Sequence, residues 1–326
     1  MPESETVVPE SETVSAVGRA EDAGRPSVTV VVPTHNRPEL VRRAVRSVLD
    51  QQYPGAVDVL VVFDRADPDM SLEQETAGRS VRVLKNDRTP GLAGSRNTGI
   101  LAASAPLIAF CDDDDVWLPG KLEAQVAALD AAPESEFVTT AMTVDYRGER
   151  SVRLAGRDRV DHVALIRSRM AMLHSSSFLI RRAALVDGIG LVDETLPRSM
   201  AEDWDLLIRA SARRPIVHVD EPLVEVTWGA SSYFSEQWSD RNAAHAWMLE
   251  HYPEIAADPV GAALMYGKLA FGCAALGQRR DALRWARRSI RTRWREPRAW
   301  IALAVTARVV SWQRVSTALN RRGHGI

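Results

Sequence analysis

Four short apolar runs, each followed by a polar turn, limit the folds open to this chain. They are SVTVVVP from Ser27, VDVLVVF from Val57, VRVLKN from Val81 and APLIAF from Ala105. Continuous β-branched and aliphatic runs of this length read as strands covered on both faces. Between the first two lies PELVRRAVRSVLDQ, with Pro38 at the first helical position. Its Leu40, Val41, Ala44, Val45, Val48 and Leu49 share one helical face. SRNTGILAAS reads as a second helix. Strands alternating with helices at this spacing predict right-handed βαβ units and a mostly parallel sheet, an α/β fold. Ligands of such sheets bind beyond the carboxyl ends of the strands. Pro33–Arg37, Asp64 and Asp112–Asp115 all fall there.

The second half is less regular. EFVTTAMTVDY and HSSSFLI read as strands and PIVHVDEPLVEVTW as extended chain. AEDWDLLIRASARR reads as a helix with Leu206, Leu207 and Ala210 inward and acids in its first turn, where the helix dipole favours them. Beyond Ala230 the pattern turns helical, in GAALMYGKLAFGCAALGQ and RDALRWARRSIRTRW. The expected organisation is a disordered tail over residues 1–26, an α/β domain over 27–230 and a basic α-helical region over 231–326. The tail repeats PESETVV as PESETVS and holds too little apolar surface to offset the entropy of ordering.

Charge divides the same way. From Gly261 onward the net charge is +12, which leaves −14 for the rest of a chain whose total is −2. Trp285, Trp294, Trp300 and Trp312 lie among the C-terminal arginines. That mixture suits either a solvated face or a peripheral anchor on anionic membrane lipid. Nucleic acid is not an expected partner, because no reader motif accompanies the charge. The two cysteines, Cys111 and Cys273, make no disulfide framework, and no apolar run approaches a membrane span. With no secretory leader in the acidic N-terminus, the expected location is the cytoplasm, at most peripheral at the inner membrane face.

The stretch FCDDDDVWLPGKLEAQ concentrates the chemistry. Two carboxylates about 4 Å apart repel by roughly 4 kcal/mol at an effective dielectric near 20, so four in a row need compensation. A calcium loop is excluded, since Val116-Trp117-Leu118-Pro119 stands where its later ligands belong. A helix cap would need one aspartate only. Beside that structural alternative, the functional reading is a hard divalent cation, Mn²⁺ or Mg²⁺, shared between carboxylates and phosphate oxygens. There is no GxxxxGK[ST] and no GxGxxG after the first strand, which argues against P-loop and nicotinamide enzymes. PGLAGSRNTGI places Gly91, Gly94 and Gly99 around Arg96 and Asn97 at a helix start, a setting suited to an anionic ligand.

Taken in order, VVVPTHNRPELVRRAVRSVLDQ, VLVVFD, GLAGSRNTGI, FCDDDDVWLPGKLEAQ and AEDWDLLIRA resemble the family-2 glycosyltransferases of the GT-A fold, over roughly residues 27 to 228. The resemblance implies a Rossmann-like domain with a mixed, mostly parallel sheet. It also implies inverting transfer of a sugar from a nucleotide-diphospho-sugar to a hydroxyl acceptor. By the same resemblance Pro33, Thr34 and Arg37 form the first nucleotide loop, and Asp64 meets the base. FDRADPD departs from the family's frequent Asp-Asp-Gly-Ser, with Phe63 in place of one acid, so the base stays open. Asp112 and Asp113 serve the donor, Asp113 near the ribose, and Asp114 is the metal ligand. Arg96 joins the donor side. Asp203 is the catalytic base, with Glu202 and Trp204 beside the acceptor. His174, ahead of SSSF, suits either an acceptor pocket or a hydrogen-bonded loop. Two rivals remain: a sugar-nucleotide nucleotidyltransferase, which would want an early glycine-rich loop that VVVPTHNR lacks, and a non-catalytic sugar-nucleotide-binding relative.

Overall fold

The computed structural model describes residues 24–228 and 237–321. All but the end of the expected tail, and the expected boundary at residue 230, lie outside the described residues. The N-terminal part is built on one mixed sheet. Its strands in chain order are β1 (Val28–Thr34), β2 (Val57–Phe63), β3 (Gln74–Thr76), β4 (Arg79–Lys85), β5 (Leu107–Phe110) and β6 (Val116–Trp117). There follow β7 (Phe137–Tyr146), β8 (Glu149–Arg153), β9 (Arg159–Val160), β10 (Leu179–Arg181) and β11 (Ile216–Trp228). The spatial order is β3-β4-β2-β1-β5-β10-β7-β11-β6, with β8 on β7 and β9 on β11. As expected, β4, β2, β1 and β5 run parallel. Beyond them β10 is antiparallel to both β5 and β7, and β11 lies parallel to β7. The sheet is therefore mixed around a parallel core.

Helices cover both faces, as the unbroken apolar runs require. Val30 and Val32 of β1 face the side packed by α1 (Pro38–Leu49), whereas Val31 faces α2 (Leu92–Ala102). Next come α3 (Lys121–Ala131), α4 (His162–Arg167), the single turn α5 (Arg182–Ala184) and α6 (Glu202–Arg213). Helix α2 lies unusually close to the sheet. A Cβ at Gly99 would stand 2.3 Å from Val31 Cγ1, and one at Gly94 would stand 1.9 Å from the carbonyl oxygen of Thr89. The second contact is with backbone and has no flexible end to give way. Gly94→Ala is therefore expected to cost about 1–3 kcal/mol in urea unfolding, as overpacking does. No loss of stability would show that the helix can lift.

One expected strand is corrected. Only the end of HSSSFLI enters the sheet, as β10, because Ser175–Ser177 form a 3₁₀ turn. Their hydroxyls are committed within the turn and to aspartates: Ser175 Oγ donates to Asp112 at 2.9 Å, Ser176 Oγ to Asp115 at 2.5 Å and Ser177 Oγ to the His174 carbonyl at 2.7 Å.

The C-terminal helices are α7 (Trp238–His251), α8 (Pro253–Ala257), α9 (Pro259–Ala275), α10 (Arg279–Thr292), α11 (Pro297–Thr306) and α12 (Trp312–Arg321). Helices α7, α8 and α9 share the core of the sheet domain, and α10, α11 and α12 pack in a cluster of their own with Trp238 and Phe271. Met248, Ile255 and Met265 pack in one cluster with Trp204 and Leu207. Arg167 Nε donates to Asp258 at 2.8 Å, and Tyr252 donates its hydroxyl to Asp205. Of the four tryptophans, Trp285 stacks on Tyr266 and Trp312 packs on Trp238, while Trp294 and Trp300 stay exposed. Among the described residues, no helix is long and apolar enough to cross a membrane.

Candidate active site

At the carboxyl ends of β1, β2 and β5 opens a cleft of about 460 Å³. Pro33, Thr34, Arg37, Asp64, Asp112, Asp113, Asp114, His174, Glu202, Asp203 and Trp204 all border it. Residues from five separated stretches thus meet where a parallel sheet places its ligands.

On the β2 side, Asp64 is 5% exposed. Its carboxylate accepts from Asn86 Nδ2 at 2.9 Å, the Gly91 amide at 3.0 Å and Arg65 Nε at 2.9 Å. Burial alone would raise Asp64, but these donors outweigh it and hold the group below the usual carboxylate range. Gly91 has φ +124°, a conformation that glycine alone adopts without strain, and this is how its amide reaches Asp64.

The aspartate run divides its tasks. Thr34 Oγ1 donates to Asp113 at 2.8 Å, and Arg37 Nη1 reaches Asp113 at 3.1 Å and Asp114 at 3.0 Å. Burial, then the charges of Asp112 and Asp113, push Asp114 up to about 6 in spite of Arg37. Asp115 is 1% exposed and is raised well above the usual carboxylate range, by burial and then by Asp114 and Asp112; its Oδ1 has no hydrogen-bond partner. The run carries more carboxylate than the surrounding cations balance. One donor atom each from Asp112, Asp115 and His174 lies within 4.8 Å of the others. This oxygen-rich set, with one imidazole and an orphaned buried oxygen, fits a hard divalent cation.

Three expected site residues turn inward. Arg96 is 1% exposed and does not border the cleft, because Nη1 donates to Glu202 at 2.5 Å and Nη2 to Asp112 at 2.7 Å. Its guanidinium, expected on the donor, is spent on tying the aspartate loop to the start of α6. Glu202, expected beside the acceptor, is held in that pair and pushed up to about 7, by burial first and then by Asp203. Trp204 is 1% exposed, and its indole NH donates to the Leu165 carbonyl at 2.9 Å, so the ring packs beneath the cleft.

Asp203 stays at the surface of the cleft. Its Oδ1 accepts from the Trp204 amide at 2.6 Å, and its Oδ2 pairs with Arg169. The chain into α6 is strained. Arg198, Ser199 and Ala201 have φ values of +51°, +55° and +66°. Left-handed non-glycine residues cost on the order of 1–3 kcal/mol each and gather where a geometry is held for use. Arg169 has no motif around it, and sequence reasoning missed it. The serine turn at 175–177 did have a signal, since three polar residues together suit a turn better than a strand.

The residues after the aspartates are supports. Trp117 Nε1 donates to the Ser176 carbonyl at 2.8 Å, and the Lys121 ammonium lies 3.6 Å over the Trp117 ring. Burial pushes Lys121 down to about 7. The unfolded chain therefore binds one more proton than the fold between about pH 7 and the ordinary lysine value, so stability rises with pH there. Relative to Lys121→Met, wild type is expected to gain up to about 1.4 kcal/mol per pH unit from pH 7 to 10. Parallel urea titration curves for the two proteins across that range would show that Lys121 titrates normally.

Known proteins resemble this chain in sequence and in fold. Residues 29–188 match the model of "Glycosyl transferase family 2". The chain is 31% identical over 102 residues to the UDP-Glc:alpha-D-GlcNAc-diphosphoundecaprenol beta-1,3-glucosyltransferase WfgD of Escherichia coli, covering 31% of this chain and 40% of that one. It is 31% identical over 210 residues to the succinoglycan biosynthesis protein ExoU of Rhizobium meliloti, covering 59% of each. The chain thus spans less than two thirds of either relative's length. Among solved structures, residues 1–349 of S. aureus TarS superpose with a TM-score of 0.56 at 17% identity, over 91% of this chain and 92% of that one. TarS has also been solved with UDP-GlcNAc, where the TM-score is 0.55 at 18% identity.

Proposed function

We propose that this protein, whose residues 29–188 match the model of glycosyl transferase family 2, moves a sugar from a nucleotide-diphospho-sugar to an acceptor hydroxyl, with inversion at the anomeric carbon. One observation carries the reading: Asp64, Asp112–Asp114 and Asp203, far apart in sequence, line a single cleft. Relatives named for polysaccharide biosynthesis and for transfer to a lipid diphosphate, and TarS solved with a UDP-sugar, support it. A nucleotidyltransferase would want an early glycine-rich loop, which VVVPTHNR lacks.

In this reading the nucleotide lies along the ends of β1 and β2. Asp64, rigid in its three hydrogen bonds, accepts from the base, and Asp113, braced by Thr34, accepts from the ribose hydroxyls. Asp114 faces the diphosphate, with Asp112, Asp115 and His174 behind it, and these residues would hold the divalent cation. When bound, that cation supplies positive charge against the departing diphosphate. Asp115 is fixed by Ser176, whereas Asp114 is tied to the flexible side chain of Arg37, so Asp114 is the ligand free to turn toward a phosphate. Asp203 takes the proton of the acceptor hydroxyl as its oxygen attacks, because a neutral hydroxyl is a weak nucleophile. Arg169 and the Trp204 amide fix the direction of that carboxylate. One base on one side and a charged leaving group on the other make a single displacement.

Titration calorimetry with UDP, GDP and dTDP tests the donor half. With Mn²⁺ present one nucleotide is expected to bind, and Asp114→Asn or EDTA should weaken it at least tenfold, about 1.4 kcal/mol. Binding of no nucleotide with metal present would overturn the reading, and tight sugar-nucleotide binding without turnover would favour the non-catalytic rival.

A further inference from the structure

The cleft continues past Asp203 to a wall that has no part in the reading above. Arg241 and His245 on α7 and Lys268 on α9 line it, together with Arg169. Residues four apart on a helix stand one above the other, so Arg241 and His245 share a face, and α9 packs against α7. Among the described residues, none of the three meets a carboxylate. The nearby acids are taken: Glu296 pairs with Arg298 at 2.9 Å, Asp240 with Arg198 at 2.9 Å and Asp203 with Arg169. Arg241 lies 5.0 Å over the ring of Trp238. His245 Nδ1 is buried without a hydrogen-bond partner.

Like charges gathered in a concave, poorly solvated wall repel, and the repulsion shows. Burial, then Arg298, Arg241 and Arg169, bring Lys268 down to about 7, against Glu296 alone. Burial, then Lys268, Arg241 and Arg298, hold His245 well below its ordinary value. A packing role would be met better by apolar side chains at these positions. A guanidinium and an ammonium converging on one space suit a phosphate, which offers several oxygen acceptors. Arg169, which pairs with Asp203, lines the same wall, and this puts the wall on the Asp203 side.

We propose that Arg241, His245 and Lys268 form an anion subsite that takes a phosphate ester carried by the acceptor, so that the sugar is delivered to a hydroxyl of a phosphorylated molecule. The word acceptor rests on the transferase reading above; the anion site does not. A phosphate could also belong to the donor, and the experiment separates the two.

Glycerol phosphate is titrated calorimetrically into the full chain, alone and saturated with whichever of UDP, GDP or dTDP binds. The expected result is saturable binding that persists with the nucleotide bound. It should weaken at least tenfold in Lys268→Met and be retained in Lys268→Arg, with nucleotide affinity as the control for folding. The heat should also vary with the buffer's ionisation enthalpy, because Lys268 takes up a proton beside an anion. Absence of binding, or equal binding in Lys268→Met, would overturn the subsite. Binding that the nucleotide displaces would assign the wall to the donor and overturn the acceptor claim. Lys268-dependent binding in a protein that takes no nucleotide would overturn the transferase reading and leave the anion site standing.

Discussion

Asp203→Asn is expected to lower donor turnover by roughly 10²–10⁴-fold, the range ascribed to a positioned general base, while leaving nucleotide affinity within about twofold. The substitution keeps the shape of the side chain and an oxygen that can accept from the Trp204 amide. It removes the capacity to take a proton. It also removes half of the ion pair with Arg169, so the urea midpoint must be measured beside the rate. Side chains of Arg169 and Asp203 are each 18% exposed, a half-buried pair whose loss costs less than that of one centred on a fully buried charge. A modest stability change with a large rate change is the signature of a base. A fall in turnover of less than tenfold would assign proton removal elsewhere, and Glu202 would not serve, being held by Arg96.

Arg96→Met is expected to give the largest loss of stability of any single substitution in the cleft region. The guanidinium is 1% exposed and bridges Asp112 and Glu202, whose side chains are 19% and 7% exposed. Burial alone would lower Arg96, yet the two carboxylates win and raise it above its ordinary value. Removing one partner of a buried ionic group strands the others, at a cost of about 3–5 kcal/mol. For a chain of this size that is a fall in Tm on the order of 10 °C. Arg96→Lys keeps a charge but loses the fork that reaches both acids, so an intermediate loss is expected. Equal stability of wild type and Arg96→Met in urea would show that Asp112 and Glu202 find other partners.

The β1–β2–β5 side of the cleft was legible because its acids sit at strand ends, and strand ends are visible as breaks in apolar runs. Asp64 follows VDVLVVF and Asp112 follows APLIAF, so their convergence needs only the parallel pairing of β2, β1 and β5. The far half depended on pairings that local pattern does not encode. The antiparallel insertion of β10 between β5 and β7 carries Ser175 and Ser176 onto the aspartates, and HSSSFLI does not announce it. Arg96 was misplaced for a related reason. Its setting at a helix start suits an anion, and it does bind anions, but they are the protein's own carboxylates. Arg169 and Lys268 lie in segments without motifs, and only the packing of α9 and of the chain after α4 brings them to Asp203.

The anomeric outcome of donor hydrolysis tests the central claim most directly. Wild type is incubated with an α-linked sugar nucleotide of the class it binds, with Mn²⁺ and without acceptor. Proton NMR then follows the free sugar before it mutarotates. The account predicts slow release in which the β anomer forms first, because Asp203 activates water in the acceptor's place and a single displacement inverts the centre. First appearance of the α anomer, or no release from any donor that binds, would contradict it.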